Sequence, residues 1–192
     1  GNAMFSAPSD GSAISTQVAI PTILDPTAQA VIPTYIDAEL RYSEDRSMFV
    51  FQAGTASTNE DLYAILDGGP GVYAPINLTS FATPMEIEEF GDDSSGTDNQ
   101  VAISPNNVRV AFVTREGSPL ADELYIVDVA APGALTHVSG PANMDVTWDE
   151  TIELHWANDD TLLFWAGTSN SNALDLCAYT VSTGMFQNLT QT

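Results

Sequence analysis

The densest chemistry in the sequence is a run of carboxylates, Glu86-Ile87-Glu88-Glu89-Phe90-Gly91-Asp92-Asp93-Ser94-Ser95-Gly96-Thr97-Asp98. Calcium takes about six to eight oxygen ligands, and acids set among small residues let a loop wrap such an ion. Asp92, Asp93 and Asp98 are the candidate Ca²⁺ ligands. Their spacing is not that of an EF-hand, and the plainer reading is a solvated acidic loop. A second acidic pair, Asp159-Asp160, reads as a turn, because Asp is a standard turn residue.

Other reactive types are few. The two His residues, His137 and His155, have no recognisable Ser or Cys partner pattern, and no Gly-x-Ser-x-Gly elbow occurs. Cys177 is the only cysteine, so it forms no internal disulfide and supports no thiol zinc site. It falls in a predicted strand, where a buried, inert thiol is expected. Gly68-Gly69-Pro70-Gly71 lacks the Lys and helix of a phosphate loop, and Pro70 removes a needed N–H. Two side-chain pairs, Arg41-Tyr42 and His155-Trp156, combine a cationic or titratable group with an aromatic and are candidates for contacting a ligand or partner. Asn77-Leu78-Thr79 and Asn188-Leu189-Thr190 fit the glycosylation sequon. They occupy matching places in the repeat described below, which accounts for them without a glycan.

The wider composition narrows the partners. The chain has 192 residues, 26 Asp and Glu against four Arg, no Lys, and a net charge of −22. Phosphate binding needs a basic stripe, so nucleic acid and other polyanions are excluded as partners. A polybasic membrane surface is excluded on the same ground. The 44% hydrophobic content argues for a folded core rather than an acidic disordered chain. No apolar run reaches the roughly 18 to 20 residues of a transmembrane helix. Residues 1–4 read as a cloning scar and start, and no signal peptide is visible.

The elements that must position these groups come from an internal repeat. Leu40-Arg41-Tyr42-Ser43-Glu44-Asp45-Arg46-Ser47-Met48-Phe49-Val50-Phe51 aligns with Val101-Ala102-Ile103-Ser104-Pro105-Asn106-Asn107-Val108-Arg109-Val110-Ala111-Phe112. Leu154-His155-Trp156-Ala157-Asn158-Asp159-Asp160-Thr161-Leu162-Leu163-Phe164 follows the same pattern, one residue shorter at the turn. Asp61-Leu62-Tyr63 then matches Glu123-Leu124-Tyr125 and Asp175-Leu176-Cys177, and the units close on Leu78-Thr79, Val138-Ser139 and Leu189-Thr190. Phe51 and Phe112 lie 61 residues apart, and Phe112 and Phe164 lie 52 apart.

Each unit carries four strand signals. The second, such as Met48 to Phe51 or Leu162 to Trp165, is nearly all apolar, which predicts a strand covered on both faces; Trp165 is therefore expected to be buried. Asn and Asp in the first turns tolerate positive φ, as do the Gly-bearing turns after the third strands. Four antiparallel strands repeated every 50 to 60 residues or so is the signature of propeller blades, each covered only by its neighbours.

The predicted fold is thus all-β, with about three four-stranded antiparallel blades. The organisation is 5–37 as N-terminal strands or a partial blade, with Thr16 to Ile20 and Ala30 to Tyr35 as strand signals. Blade one spans 38–79, an acidic insertion 80–98, blade two 99–139 and blade three 140–192. Three readings of the blade total stay open: a piece of a longer propeller, a homodimer completing a six-bladed ring, or further blades too divergent to see.

The run Ile103-Ser104-Pro105-Asn106-Asn107, then Arg109-Val110-Ala111-Phe112-Val113, then Glu123-Leu124-Tyr125-Ile126-Val127-Asp128 resembles TolB-like β-propeller repeats, with Asn106 and Asn107 standing where the family has Asp and Gly. The other two units keep less of the turn: Ser43 and Asp45 in the first, Asp159 and Asp160 in the third. The resemblance covers roughly 38–192. It implies first strands that line a central channel, which would place Arg41, Tyr42, His155 and Trp156 there. The plainer reading of Trp156 is a packed contact between blades. The resemblance also implies a periplasmic or exported location.

Function follows from fold only as an expectation. The reading is a non-catalytic binding or scaffold module that presents loops or a channel to a protein partner, which the −22 charge would suit if that partner is basic. An acidic surface of halophilic type and a means of repelling self-association are rival explanations of the charge. One alternative function is the accessory propeller of a prolyl-oligopeptidase-like hydrolase whose catalytic domain lies outside this chain. Another is a sugar- or calcium-binding propeller; no other cofactor is expected.

Overall fold

Alternating apolar residues build the protein from hairpins. In a computed structural model of the chain, the structure describes 41–53, 61–66, 75–79, 100–114, 123–138, 153–166 and 174–190 with their side chains, together with the backbone of further strand residues. Two short hairpins come first. Strand β1 (Met4–Ser6) pairs with β2 (Thr16–Val18), and β3 (Ile23–Leu24) with β4 (Ala30–Val31). Of the strand signals within 5–37, Thr16 to Ile20 overlaps β2, and Ala30 to Tyr35 overlaps β4 and reaches the strand that starts at Tyr35.

Three larger antiparallel sheets follow. The first has the order β5 (Tyr35–Tyr42), β6 (Met48–Ala56), β7 (Asn59–Leu66) and β8 (Ile76–Asn77). The second contains β9 (Glu86–Ile87) and the path β10 (Val101–Ile103), β11 (Arg109–Glu116), β12 (Ala121–Asp128) and β13 (Leu135–His137). The third is β14 (His155–Trp156), β15 (Thr161–Thr168), β16 (Ser171–Thr180) and β17 (Met185–Asn188). Three sheets of four strands in sequential order are propeller blades, and the protein is all-β, covering part of a propeller.

The registers reproduce the sequence repeat. Phe51 lies opposite Tyr63, Phe112 opposite Tyr125, and Phe164 opposite Cys177. All three Phe side chains are fully buried. The side-chain period of two gives each sheet two faces, here termed forward, toward the sheet that follows in sequence, and backward. Met48, Val50, Leu62, Ala64 and Leu78 on the forward face of sheet one pack against Val101, Val110, Phe112 and Val127 of sheet two. Ala111, Val113, Leu124, Ile126 and Val138 on the forward face of sheet two meet Leu154, Trp156, Leu162, Phe164 and Cys177 of sheet three. The apolar second strand of sheet two is therefore covered on both faces, as its composition predicts.

Two details depart from the sequence expectations. The first strand of sheet one is longer than a short inner strand, because β5 runs eight residues through an irregularity between Ile36 and Leu40. The acidic segment is not wholly a linker between units. Its first residues form β9, which pairs with Thr114 and Arg115 of β11, beyond β10 on the same strand. Ile36 and Ile87 hold matching places, opposite Ala53 and Thr114. The segment thus breaks the inner strand of sheet two where sheet one has its irregularity.

Turn chemistry explains the hairpins. Ser43 and Ser104 each place their hydroxyl on the backbone N–H five residues on, that of Met48 and of Arg109. Asp45 and Asn106 accept the N–H two residues ahead. The next position is left-handed: Asn107 has φ 59° and Arg46 φ 60°. Asn is suited to that region; Arg is not, and costs about 1–2 kcal/mol there. In the shorter third turn the anchor is Asn158, whose carbonyl accepts from the N–H groups of Asp160 and Thr161. The glycines predicted for the later turns are where positive φ is needed, Gly133 at 80° and Gly184 at 64°.

Candidate docking face on the third sheet

The sequence-selected side chains are best placed by repeat position. Leu40, Val101 and Leu154 are equivalent by register, as are Arg41, Ala102 and His155, and then Tyr42, Ile103 and Trp156. Alternation sends the last set backward and the middle set forward. The inner strands β5, β10 and β14 are neighbours in space. By register Arg41 and His155 take the forward faces of sheets one and three, and Tyr42 and Trp156 the backward faces.

Trp156 is buried, and its indole N–H donates to the Ala102 carbonyl of the preceding sheet at 3.1 Å. It is a packed contact between blades. Tyr42, at the same repeat position on the backward face of sheet one, is 57% exposed and lies with its ring 5.7 Å from Phe49. Deeper on that face Phe51 stacks on Tyr63 at 5.4 Å. Burial, aided by the Asp61 charge, pushes the Tyr63 hydroxyl far above its ordinary range. Arg41 is half-buried on the forward face of sheet one. His155 is exposed on the forward face of sheet three.

That last face is the candidate site. Its rows follow from pairing: His155 opposite Leu163, Leu163 opposite Ala178, Trp165 opposite Leu176. The Leu189 N–H donates to the Leu176 carbonyl at 2.8 Å and continues the row outward. The same bond links Leu78 to Leu62 and Val138 to Leu124. Leu189 is therefore the equivalent of Leu78 and Val138. Those two are 0% and 1% exposed because a following sheet covers them, whereas Leu189 is 50% exposed. Trp165 holds the position of Val113 and is 37% exposed. The expected burial of Trp165 is thus corrected: among the described residues it is the backward face of its strand that packs against another sheet. The chain has 26 acids, yet among the described strand residues of β14 to β17 none that faces forward is Asp or Glu.

The carboxylates are instead used at turns and sheet edges. Asp175 is buried, accepting from Thr190 Oγ1 at 2.8 Å and Asn188 Nδ2 at 2.7 Å. Asp61 takes Thr79 Oγ1 and Asn77 Nδ2 in the same way. Both Asn-Leu-Thr triplets are therefore clamps on an Asp within the third strand, which gives the repeat of the sequon a structural cause. In sheet two the pair is Glu123 and His137, with His137 Nε2 against Glu123 Oε2.

A second set of acids joins the turns of adjacent sheets. Asn107 donates to Asp45 at 2.9 Å and to Ser47 Oγ at 2.7 Å. Arg109 reaches Asp128 on its own sheet, and the Asp159 carbonyl and the Asp160 carboxylate on the next. Hydrogen bonds from the Ser47 backbone, Asn107 and Ser43 hold the Asp45 carboxyl far below the usual carboxylate range. Asp160 is lowered as well, first by the Ser182 hydroxyl and then by the Ser182 N–H and Arg109. The Asp159-Asp160 pair is thus a turn, as its repeat position predicts.

Asp92, Asp93 and Asp98, the candidate calcium ligands, lie outside the described residues. Among the described residues no group of three or more His, Cys, Asp and Glu is placed to hold a metal ion. Cys177 is buried, and burial together with the Asp175 charge raises its thiol to about 11, which keeps it protonated. Among the described residues no helix is long and apolar enough to cross a membrane.

No protein-family model matches the sequence. No curated protein matches it either. Solved structures do. The chain is similar to the β-propeller domain of the trilobed protease from Pyrococcus furiosus, with an open velcro topology, at 11% identity and TM-score 0.48, over 82% of this chain and 42% of that one. It is similar to a putative TolB from Agrobacterium tumefaciens at 11% identity and TM-score 0.48, over 83% and 48%. Against the AtxE2 isopeptidase the identity is 13% and the TM-score 0.51, over 79% of this chain and 28% of that one. The chain spans less than half the length of these solved chains. The likeness is one of fold, and the fold is that of a β-propeller seen in part.

Proposed function

We propose that the protein is a non-catalytic propeller module that binds a protein partner, and that the forward face of sheet three is its docking surface. The observation that carries this reading is the exposure of Trp165 and Leu189 on a sheet face whose described strand residues include no carboxylate, in a protein of net charge −22. An exposed Trp and Leu on either side of a half-buried Leu176 have the apolar and aromatic composition of a binding hot spot. The surrounding acidic surface suits a partner with a basic rim, since complementary charge steers encounter and rejects wrong partners. By its similarity to TolB propellers the module is read as exported or periplasmic.

A photo-crosslinking residue at position 165 tests the docking reading in cells of the source organism. A discrete adduct from 165 and none from 128, an exposed polar position in the turn network of sheet two, is the expected result. Adducts from 128 alone would contradict it.

A second reading is the accessory propeller of a larger hydrolase. Its support is the similarity of fold to the isopeptidase chain, of which this chain spans 28%. An α/β-hydrolase segment in the same open reading frame would favour it over the first.

A further inference from the structure

We infer that docking on the forward face of sheet three is gated by pH through His155: the face is taken when the imidazole is neutral and released when it is protonated. The inference rests on the docking reading above and names the regulation of that same site. Among the described strand residues of β14 to β17 that face forward, His155 is the one titratable side chain, the rest being apolar apart from threonine and glutamine.

His155 stands beside the exposed Trp165. It pairs with Leu163, and Trp165 lies two residues further along that strand on the same face. A diagonal cross-strand pair of this kind is separated by about 7–8 Å, within reach of an aromatic side chain. A partner seated on Trp165 therefore also covers the imidazole.

The two histidines of the chain are held differently. His137 Nε2 lies against Glu123 Oε2, and its ring centroid is 5.2 Å from that of Tyr125. A neighbouring carboxylate of this kind balances the charge of an imidazolium. His155 is exposed and makes no hydrogen bond or ion pair among the described residues. Glu153, two residues earlier, is exposed and forms no ion pair with it. Leu163 lies opposite on β15, and the neighbouring inner strand β10 consists of Val101, Ala102 and Ile103, so neither element brings a charge to the imidazole.

The sign of the effect follows from burial. Histidine changes charge between about pH 5 and pH 8. Covering an imidazolium without a counter-charge costs far more than covering the neutral ring. A basic rim on the partner adds repulsion of the same sign. Docking is thus favoured at and above neutral pH, and each pH unit below the histidine range weakens it by up to about tenfold, the limit for one excluded proton.

The test is retention of the whole chain on a neutral phenyl matrix at fixed salt, from about pH 8 to about pH 5. This probe needs no identified partner. The expected result is retention that falls several-fold toward acid in the unaltered chain and does not fall in His155→Gln or His155→Leu. Two variants at an exposed position guard against one that does not fold. A profile shared by the unaltered chain and both variants would overturn the inference. So would retention that rises toward acid in the unaltered chain alone, which would mean that the imidazolium is welcomed on the face. Trp165→Ser separates this inference from the docking reading. Retention independent of Trp165 at every pH would remove the docking reading and the gate with it. Retention that needs Trp165 but ignores His155 would leave the docking reading standing and strike the gate alone.

Discussion

Asp175 shows how single residues tie the repeat together. Its carboxylate is buried and serves Thr190 and Asn188, so Asp175→Ala leaves those donors without their acceptor. Loss of a hydrogen-bonded buried charge costs about 1.5–3 kcal/mol, and urea unfolding of the variant should show a loss of that order. At the turns, Asp45 and Asp160 titrate below their unfolded values. Their contribution to stability is present above the unfolded carboxylate pKa and is lost as pH falls through the folded one. Stability should therefore decline below about pH 4, and Asp45→Ala should make that decline shallower; an unchanged pH profile would remove the turn network from the account. Gly184 sits at φ 64° with only the Tyr179 hydroxyl, at 3.7 Å, near an added Cβ. Gly184→Ala should then cost about 1 kcal/mol, from backbone strain rather than from a clash.

At the scale of the element, the two ends of the stack should respond differently to the same chemical change. Leu78→Ala empties an interface between sheets and should cost about 2–5 kcal/mol. Leu189→Ala, at the same repeat position on an open face, should cost under about 1 kcal/mol. Equal losses would mean that the third forward face is already covered. Much of this arrangement was legible in the residues. The spacing of Phe51, Phe112 and Phe164 located the second strands, and the Leu-Thr endings located the fourth. The exposure of Trp165 was not legible, because a strand's apolar run reports what its faces can bury, and only the position of the last sheet in the stack tells which face has a neighbour. Arg46 was hidden for a related reason: Asn107 announces a left-handed turn, whereas Arg gives no such sign. The place of Glu86 and Ile87 in sheet two was missed as well, since two residues carry no measurable alternation, and only pairing with Thr114 and Arg115 reveals them.

For the whole molecule, charge sets the conditions under which the stack holds. A net charge of −22 on a chain with four Arg is self-repulsive, and salt shortens the Debye length from about 8 Å at 0.15 M to about 3 Å at 1 M. Thermal stability should rise with salt across that range, and a flat profile would argue that the acids are spaced too widely to repel. The same screening should weaken capture of a basic-rimmed partner while leaving apolar contact at Trp165 intact. The central claim is that Trp165 and Leu189 are exposed on an apolar face of sheet three, and hydroxyl-radical footprinting of the isolated chain in dilute solution tests it most directly. The account predicts rapid oxidation of Trp165, Met185 and Leu189 with Trp156, Leu78 and Val138 protected; protection of Trp165 to the level of Trp156 would contradict it.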